Sequence, residues 1–316
     1  MRHRLLALAS IAALAAALPI GTHAQQASTP PGDRFHSGVD LVSLDVCIKD
    51  RQGRLAPAVA PGDLVVLEDN VPQPISFVWA AGRVPVAVTL LLDRSSSMEG
   101  DPIRYAREAA MRFVDGLGPE DQLSIIAFGR RAERLTSFGD DRATASAAIL
   151  KADAAGTTAL YDALMVALDD VVRARRTRTR EMRDVVLVLT DGDDTSSINA
   201  FEDVQAEARR QDVLVYAVAI RLNDAPAPGL VRNLAPPWAL AELATESGGL
   251  AVSAPALAQL PTVFDDVLAE VTHLYRVGYV STNPRRDGAW RKVSVRVRGD
   301  LVARTRAGYL APRGPM

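Results

Sequence analysis

Two stretches of this 316-residue chain are apolar at almost every position: Val84-Pro85-Val86-Ala87-Val88-Thr89-Leu90-Leu91-Leu92 and Val185-Val186-Leu187-Val188-Leu189. A strand with one face in water alternates apolar and polar side chains, whereas one covered on both faces has no reason to. Both runs therefore predict strands buried inside a parallel sheet. The segments between and after them fit helices on either side. Ile103 to Leu117 repeats Ala106, Ala109, Ala110 and Phe113 at helical spacing and meets Gly118. Helices are also predicted over Ala143 to Lys151, Leu160 to Val172, Phe201 to Arg210, Trp238 to Glu246 and Leu257 to His273. Strands are predicted at Gln122 to Phe128, Val213 to Ala219 and Gly249 to Ser253. Strands alternating with helices imply an α/β fold with a doubly wound, mainly parallel sheet.

The ends of the chain read differently. Residues 37–80 contain short strand-like runs (Val39 to Ile48, Asp63 to Glu68, Pro74 to Val78) separated by turns, which predicts a small β-rich flanking module. Residues 273–316 return to β character at Tyr275 to Tyr279, Trp290 to Val297 and Leu301 to Thr305, a strand extension. Arg2 and Arg4, an apolar run from Leu5 to Ile20, and Thr22-His23-Ala24 have the order of a secretory signal peptide. Residues 1–24 are thus expected to direct export to the periplasm or beyond and to be cleaved after Ala24, with 25–36 a linker. No later run approaches spanning length, so no stable membrane insertion is expected after cleavage. A net charge of −2 lacks the basic excess of a nucleic-acid binder, and a single cysteine rules out an internal disulfide or a multi-thiolate zinc site.

The polar chemistry collects where the two apolar strands end, at the edge where open α/β sheets bind ligands. The first runs into Asp93-Arg94-Ser95-Ser96-Ser97, and in extended chain Asp93, Ser95 and Ser97 face one way. The second runs into Thr190-Asp191-Gly192. One carboxylate with two hydroxyls, joined by a second carboxylate from Asp191, suits a hard divalent cation such as Mg²⁺. Mn²⁺ and Ca²⁺ are the alternatives.

Asp93-x-Ser95-x-Ser97 resembles the metal-ion-dependent adhesion site of von Willebrand factor type A domains. Thr158-Ala159-Leu160-Tyr161-Asp162 is similar to that family's threonine-bearing loop, and Leu187-Val188-Leu189-Thr190-Asp191-Gly192 to the segment holding its final aspartate. The three arrive in family order and imply a domain over 84–272. The flanks resemble those of secreted bacterial members. The resemblance implies that Asp93, Ser95, Ser97 and Thr158 surround the metal, with Asp191 acting mainly through water. Relatives carry paired glycines where this chain has Ala155-Gly156-Thr157, so Thr157 competes with Thr158; spacing to the helix favours Thr158. The implied function is a non-enzymatic adhesion or assembly module whose protein partner donates an Asp or Glu carboxylate to the metal. The rival readings are a domain in which the metal only stabilises loops, and a metal-dependent hydrolase. After signal removal only His36 and His273 remain, and no Gly-x-Ser-x-Gly surrounds a serine, so no activated nucleophile is expected. The basic run Arg173 to Arg183 is expected to be a solvated helix end and loop, and Cys47 a buried, inert thiol.

Overall fold

A computed structural model describes residues 40–56, 58–82, 84–220 and 238–314. The expected signal peptide (1–24) and linker (25–36) lie outside the described residues. In chain order the elements are strands β1 (Leu41–Asp50), β2 (Leu64–Glu68), β3 (Val71–Gln73), β4 (Ile75–Trp79) and β5 (Val86–Asp93). Next come helix α1 (Asp101–Gly116), β6 (Gln122–Phe128), β7 (Ala132–Thr136), α2 (Arg142–Leu150), α3 (Leu160–Thr177) and β8 (Arg183–Thr190). They are followed by α4 (Phe201–Gln211), β9 (Leu214–Ala219), α5 (Trp238–Ser247), β10 (Ala251–Ser253) and α6 (Leu260–Thr272). Strands β11 (Tyr275–Val280), β12 (Trp290–Val297), β13 (Leu301–Arg304) and β14 (Gly308–Leu310) complete the order.

Six strands form the central sheet in the order β10-β9-β8-β5-β6-β7. All its pairings are parallel except β6 with β7. Every residue of β5 and β8 is buried, as their unbroken apolar runs require. Alternate side chains of β5 serve two cores. Val88, Leu90 and Leu92 pack with α1, α2 and α6, while Leu91 faces α3, α4 and α5. Each fully buried Leu or Val contributes roughly 1.5–3 kcal/mol, so the two central strands anchor the domain. The antiparallel edge strand β7 escapes sequence pattern because Ala132-Glu133-Arg134 reads as a polar turn. It pairs nonetheless, with a register shift at Ile125/Ile126.

Strands from the two ends of the chain pair with one another. One antiparallel sheet runs β13-β1-β11-β4, another β14-β12-β2-β3. Both bury residues in a common core that includes Leu44, Val66, Val277 and Val295. Within it the buried Glu68 accepts hydrogen bonds from Tyr279 Oη (2.9 Å), Tyr309 Oη (2.8 Å) and Ser281 Oγ (2.6 Å), so both of its side-chain oxygens have partners.

Charged residues join this β layer to the helical domain. Arg183, at 1% exposure, donates from Nε to Asp45 Oδ1 (2.8 Å) and from its two Nη atoms to the carbonyls of Val271 and Leu274 (both 3.1 Å). Arg276 binds the same carboxylate through Nη2 (2.9 Å) and Nε (3.1 Å). On α6, the buried Glu270 meets Lys49 Nζ (2.6 Å), Tyr216 Oη (2.8 Å) and Arg304. The expectation of a solvated basic run thus fails at Arg183 and at Arg178, whose side chain is also buried and paired with Asp184. Their partners are remote or later in the chain, and a charge run carries no sign of them. Cys47 is buried, and burial with the neighbouring Glu270 charge pushes its thiol up to about 12.

Candidate metal centre

The crevice is built at the carboxyl ends of β5 and β8, which lie side by side in register (Leu92 opposite Leu189). Asp93 closes β5 with no solvent exposure. Its Oδ1 accepts from the Ser95 amide (2.8 Å), a local turn that swings the chain across the strand end. Its Oδ2 accepts from Thr190 Oγ1 (2.5 Å). The chain then enters a short 3₁₀ turn, Ser96–Met98, which places Ser95 Oγ 3.0 Å from Ser97 Oγ. Ser97 Oγ in turn donates to Asp191 Oδ1 (3.0 Å). Asp93, Ser95, Ser97 and Asp191 therefore converge although Ser97 and Asp191 are 94 positions apart in sequence. Asp93 and Ser95 lie at the buried base, Asp191 is half-buried, and Ser97 stands at the exposed mouth.

Thr158 reaches the same edge by a different route. The Ala155–Thr158 loop is stitched to the serine loop: Ala155 N donates to Arg94 O (2.6 Å), Ser96 N to Gly156 O (2.9 Å) and Gly156 N to Ser96 Oγ (2.9 Å). Thr158 is buried and its backbone is gripped by Thr195, with Thr158 N donating to Thr195 Oγ1 (3.1 Å) and Thr195 N to Thr158 O (2.9 Å). No hydrogen bond among the described residues links the Thr158 hydroxyl to Asp93, Ser95, Ser97 or Asp191. The Thr157 hydroxyl is occupied elsewhere, 2.8 Å from Ser196 Oγ. Gly129 lies beneath these loops, where an added Cβ would sit 2.8 Å from Ala155 O and 3.5 Å from Arg94 O.

Several supporting residues act on partners that no local pattern names. Thr190, the end of its strand in sequence, is the hydroxyl that holds Asp93. Asp194 accepts from the amides of Leu160 (2.8 Å) and Tyr161 (3.3 Å), capping α3 from another loop. Asp162 returns the favour, taking the amides of Ile198 (3.1 Å) and Asn199 (3.0 Å). These reciprocal bonds lock the 155–158 and 191–199 loops together. A cap supplied from more than thirty residues away has no local motif.

The electrostatics are those of two acids sharing one crevice. Burial pushes the Asp93 carboxyl above its ordinary value, against the lowering by its Thr190 and Ser95 hydrogen bonds, and the Asp191 charge adds to the rise. Burial likewise raises Asp191, partly offset by Ser97. Asp191 Oδ2 is buried without a hydrogen-bond partner among the described residues. An orphaned carboxylate oxygen, aligned hydroxyls and two acids of raised pKa fit a divalent cation: it would favour both ionised carboxylates and supply the missing partner. No group of three or more His, Cys, Asp or Glu side chains suited to a metal occurs among the described residues; the crevice offers two carboxylates, and its other polar side chains are hydroxyls.

A six-stranded doubly wound, mainly parallel sheet with helices on both faces and a carboxylate- and hydroxyl-lined crevice at its carboxyl edge defines an α/β domain. The family model for the von Willebrand factor type A domain matches residues 87–266, more than half of the chain, and the chain belongs to that family. An uncharacterised protein of Synechocystis sp. is 31% identical over 119 residues, covering 37% of this chain and 27% of that protein. Inter-alpha-trypsin inhibitor heavy chain H4 of Sus scrofa is 34% identical over 125 residues, covering 37% of this chain and 13% of its own length. The chain thus spans about a quarter or less of these relatives. Among solved structures, a von Willebrand factor type A protein from Catenulispora acidiphila superposes with a TM-score of 0.51 at 14% identity, over 88% of this chain and 76% of that one. Domains of this family are protein-interaction modules and typically non-catalytic. No helix among the described residues is long and apolar enough to cross a membrane.

Proposed function

We propose that this chain is an exported, metal-ion-dependent binding module for a protein partner. Asp93, Ser95, Ser97, Thr158 and Asp191 would hold a divalent cation, Mg²⁺ in the first instance and Mn²⁺ or Ca²⁺ as alternatives. When bound, such an ion supplies an electrophilic position for one carboxylate oxygen of an Asp or Glu on the partner. The single observation that carries this reading is the buried, unpartnered Asp191 Oδ2 beside the hydrogen-bonded row Asp93–Ser95–Ser97–Asp191. The chain's own residues have separable tasks. Thr190 and the Ser95 amide fix both oxygens of Asp93, so the deepest donor is oriented before any ion arrives. Ser97 and Asp191 sit at the opening, where a visiting carboxylate has access. Gly129 and the Asp162 and Asp194 caps hold the three loops at one spacing.

Export is supported by residues 1–24, and a binding role by the family and by the donor chemistry. Among the described residues Ser95 and Ser97 have hydroxyl and carboxylate neighbours and no imidazole, which suits coordination better than nucleophilic attack. The test is affinity capture from an envelope extract on immobilised full-length chain. Capture in Mg²⁺, release by chelator and no capture by Asp93→Ala are expected. A partner retained equally in excess chelator contradicts the reading. A large thermal shift on adding metal, with no partner captured, favours a stabilising role for the ion instead.

A further inference from the structure

The opposite edge of the sheet holds a second polar feature. Residues Gln122 and Phe128 of β6 pair with Ala87 and Asp93 of β5, so the beginning of β6 marks the edge away from the crevice. There, where β6 begins, β7 ends and α3 runs out, a cavity of ≈ 420 Å³ opens. Its wall contains Arg134, Arg173, Arg178 and Arg180 together with Ser137 and Thr179. The one acid in the wall, Asp170, is taken by Arg134 through its Nε at 2.7 Å.

Arg178 sets this cavity apart from a solvated charge run. Its side chain is only 8% exposed. Nη1 donates to Asp184, and the guanidinium carbon lies 5.1 Å from the centre of the Phe138 ring. Nε and Nη2 are sealed from solvent and have no acceptor among the described residues. Buried charged donors are costly to leave unmatched, and an oxyanion is the group that a guanidinium edge fits. The outer arginines are available. Arg173 pairs with Asp169 and Arg180 with Glu120 (3.2 Å), but all four side chains are more than 40% exposed, and such pairs give way readily to a better-held anion. The partial negative charge at the carboxyl end of α3 opposes an anion, although its Ala174 carbonyl is capped by Arg178 N (3.2 Å) and Thr177 Oγ1 (3.0 Å); the full charges of the four wall arginines are the larger effect.

We propose that this cavity binds a small molecule bearing a phosphate or sulfate group, with Arg178 as the buried anchor and Arg173 and Arg180 as the outer clamp. Its volume falls in the range of small-molecule sites, larger than a lone ion needs. The site stands independently of the metal reading. The test is isothermal titration of the full chain, in chelator, with sodium sulfate, sodium pyrophosphate and glucose 6-phosphate in separate arms. Saturable one-to-one binding of at least one probe is expected, unchanged in Asp93→Ala and weakened at least tenfold in R173Q/R180Q, whose exposed positions leave folding intact. R178K, which keeps the charge but not the fork, is expected to weaken it similarly wherever that variant folds. No saturable heat from any probe, loss of binding in Asp93→Ala, or less than tenfold weakening in R173Q/R180Q overturns the proposal. Among the arms, preference for glucose 6-phosphate over pyrophosphate and sulfate identifies an organic ligand, and the reverse a free oxyanion.

Discussion

Replacing Arg183 by Met tests how the β layer is fastened to the helical domain. Met keeps the apolar stem and removes the guanidinium, so lost packing contributes little. Asp45 loses one of its two arginine partners, and the Val271 and Leu274 carbonyls each lose a donor. Breaking a buried ion pair costs about 3–5 kcal/mol when a charge is left alone. Arg276 still holds Asp45, which places that loss at or below the low end, near ~2–3 kcal/mol. Two under-satisfied carbonyls add ~1 kcal/mol each. The expected destabilisation is therefore about 4–5 kcal/mol, a large share of the 5–15 kcal/mol typical of a folded domain. Urea unfolding followed by tryptophan emission measures it through the midpoint, with the slope checked for constancy. Trp79 and Trp290 report on the β layer and Trp238 on α5. A change below about 1 kcal/mol would refute the claim that this contact clamps the two layers.

Other outcomes follow from the same contacts. Burial raises Asp45, but the Arg183 and Arg276 charges override it and hold the carboxyl below its ordinary 3.8. That stability is present above the unfolded value and is lost as pH falls through the folded one, so unfolding titrations should show stability dropping below about pH 4, less steeply in Asp45→Asn. Cys47, with its thiol pushed up to about 12, should resist an aromatic disulfide reagent at pH 8 in the native state and react promptly in urea. Equal rates in both would contradict its burial. Gly129→Ala should cost about 1–3 kcal/mol by driving Ala155 away, and should weaken metal binding as the loops separate. A wild-type melting curve and isotherm would show that the close approach is slack.

The central sheet was legible because burial on both faces leaves an unbroken apolar run, and β5 and β8 show one each. Their polar ends were legible for the same reason, since carboxylates and hydroxyls directly after such runs stand out. Asp93, Ser95 and Ser97 are drawn together by local contacts that their spacing anticipates, and Asp191 joins them from the end of the neighbouring strand. What escaped detection depends on pairing across distance. The edge strand β7 is polar because little covers it, and β3 contains Pro72 in a three-residue run. Thr190 gains its role from a neighbouring strand, Asp194 from a helix more than thirty residues away. The burial of Arg178 and Arg183 depends on Asp184, Asp45 and Phe138, of which only Asp184 is close in sequence.

Isothermal titration of metal-stripped full-length protein with Mg²⁺ and Mn²⁺ tests the central claim most directly. One ion per chain is expected, lost in both Asp93→Asn and Asp191→Asn, while circular dichroism shows the fold retained. If no stoichiometric binding is seen, or if either variant matches the unaltered chain, those two carboxylates do not share a cation.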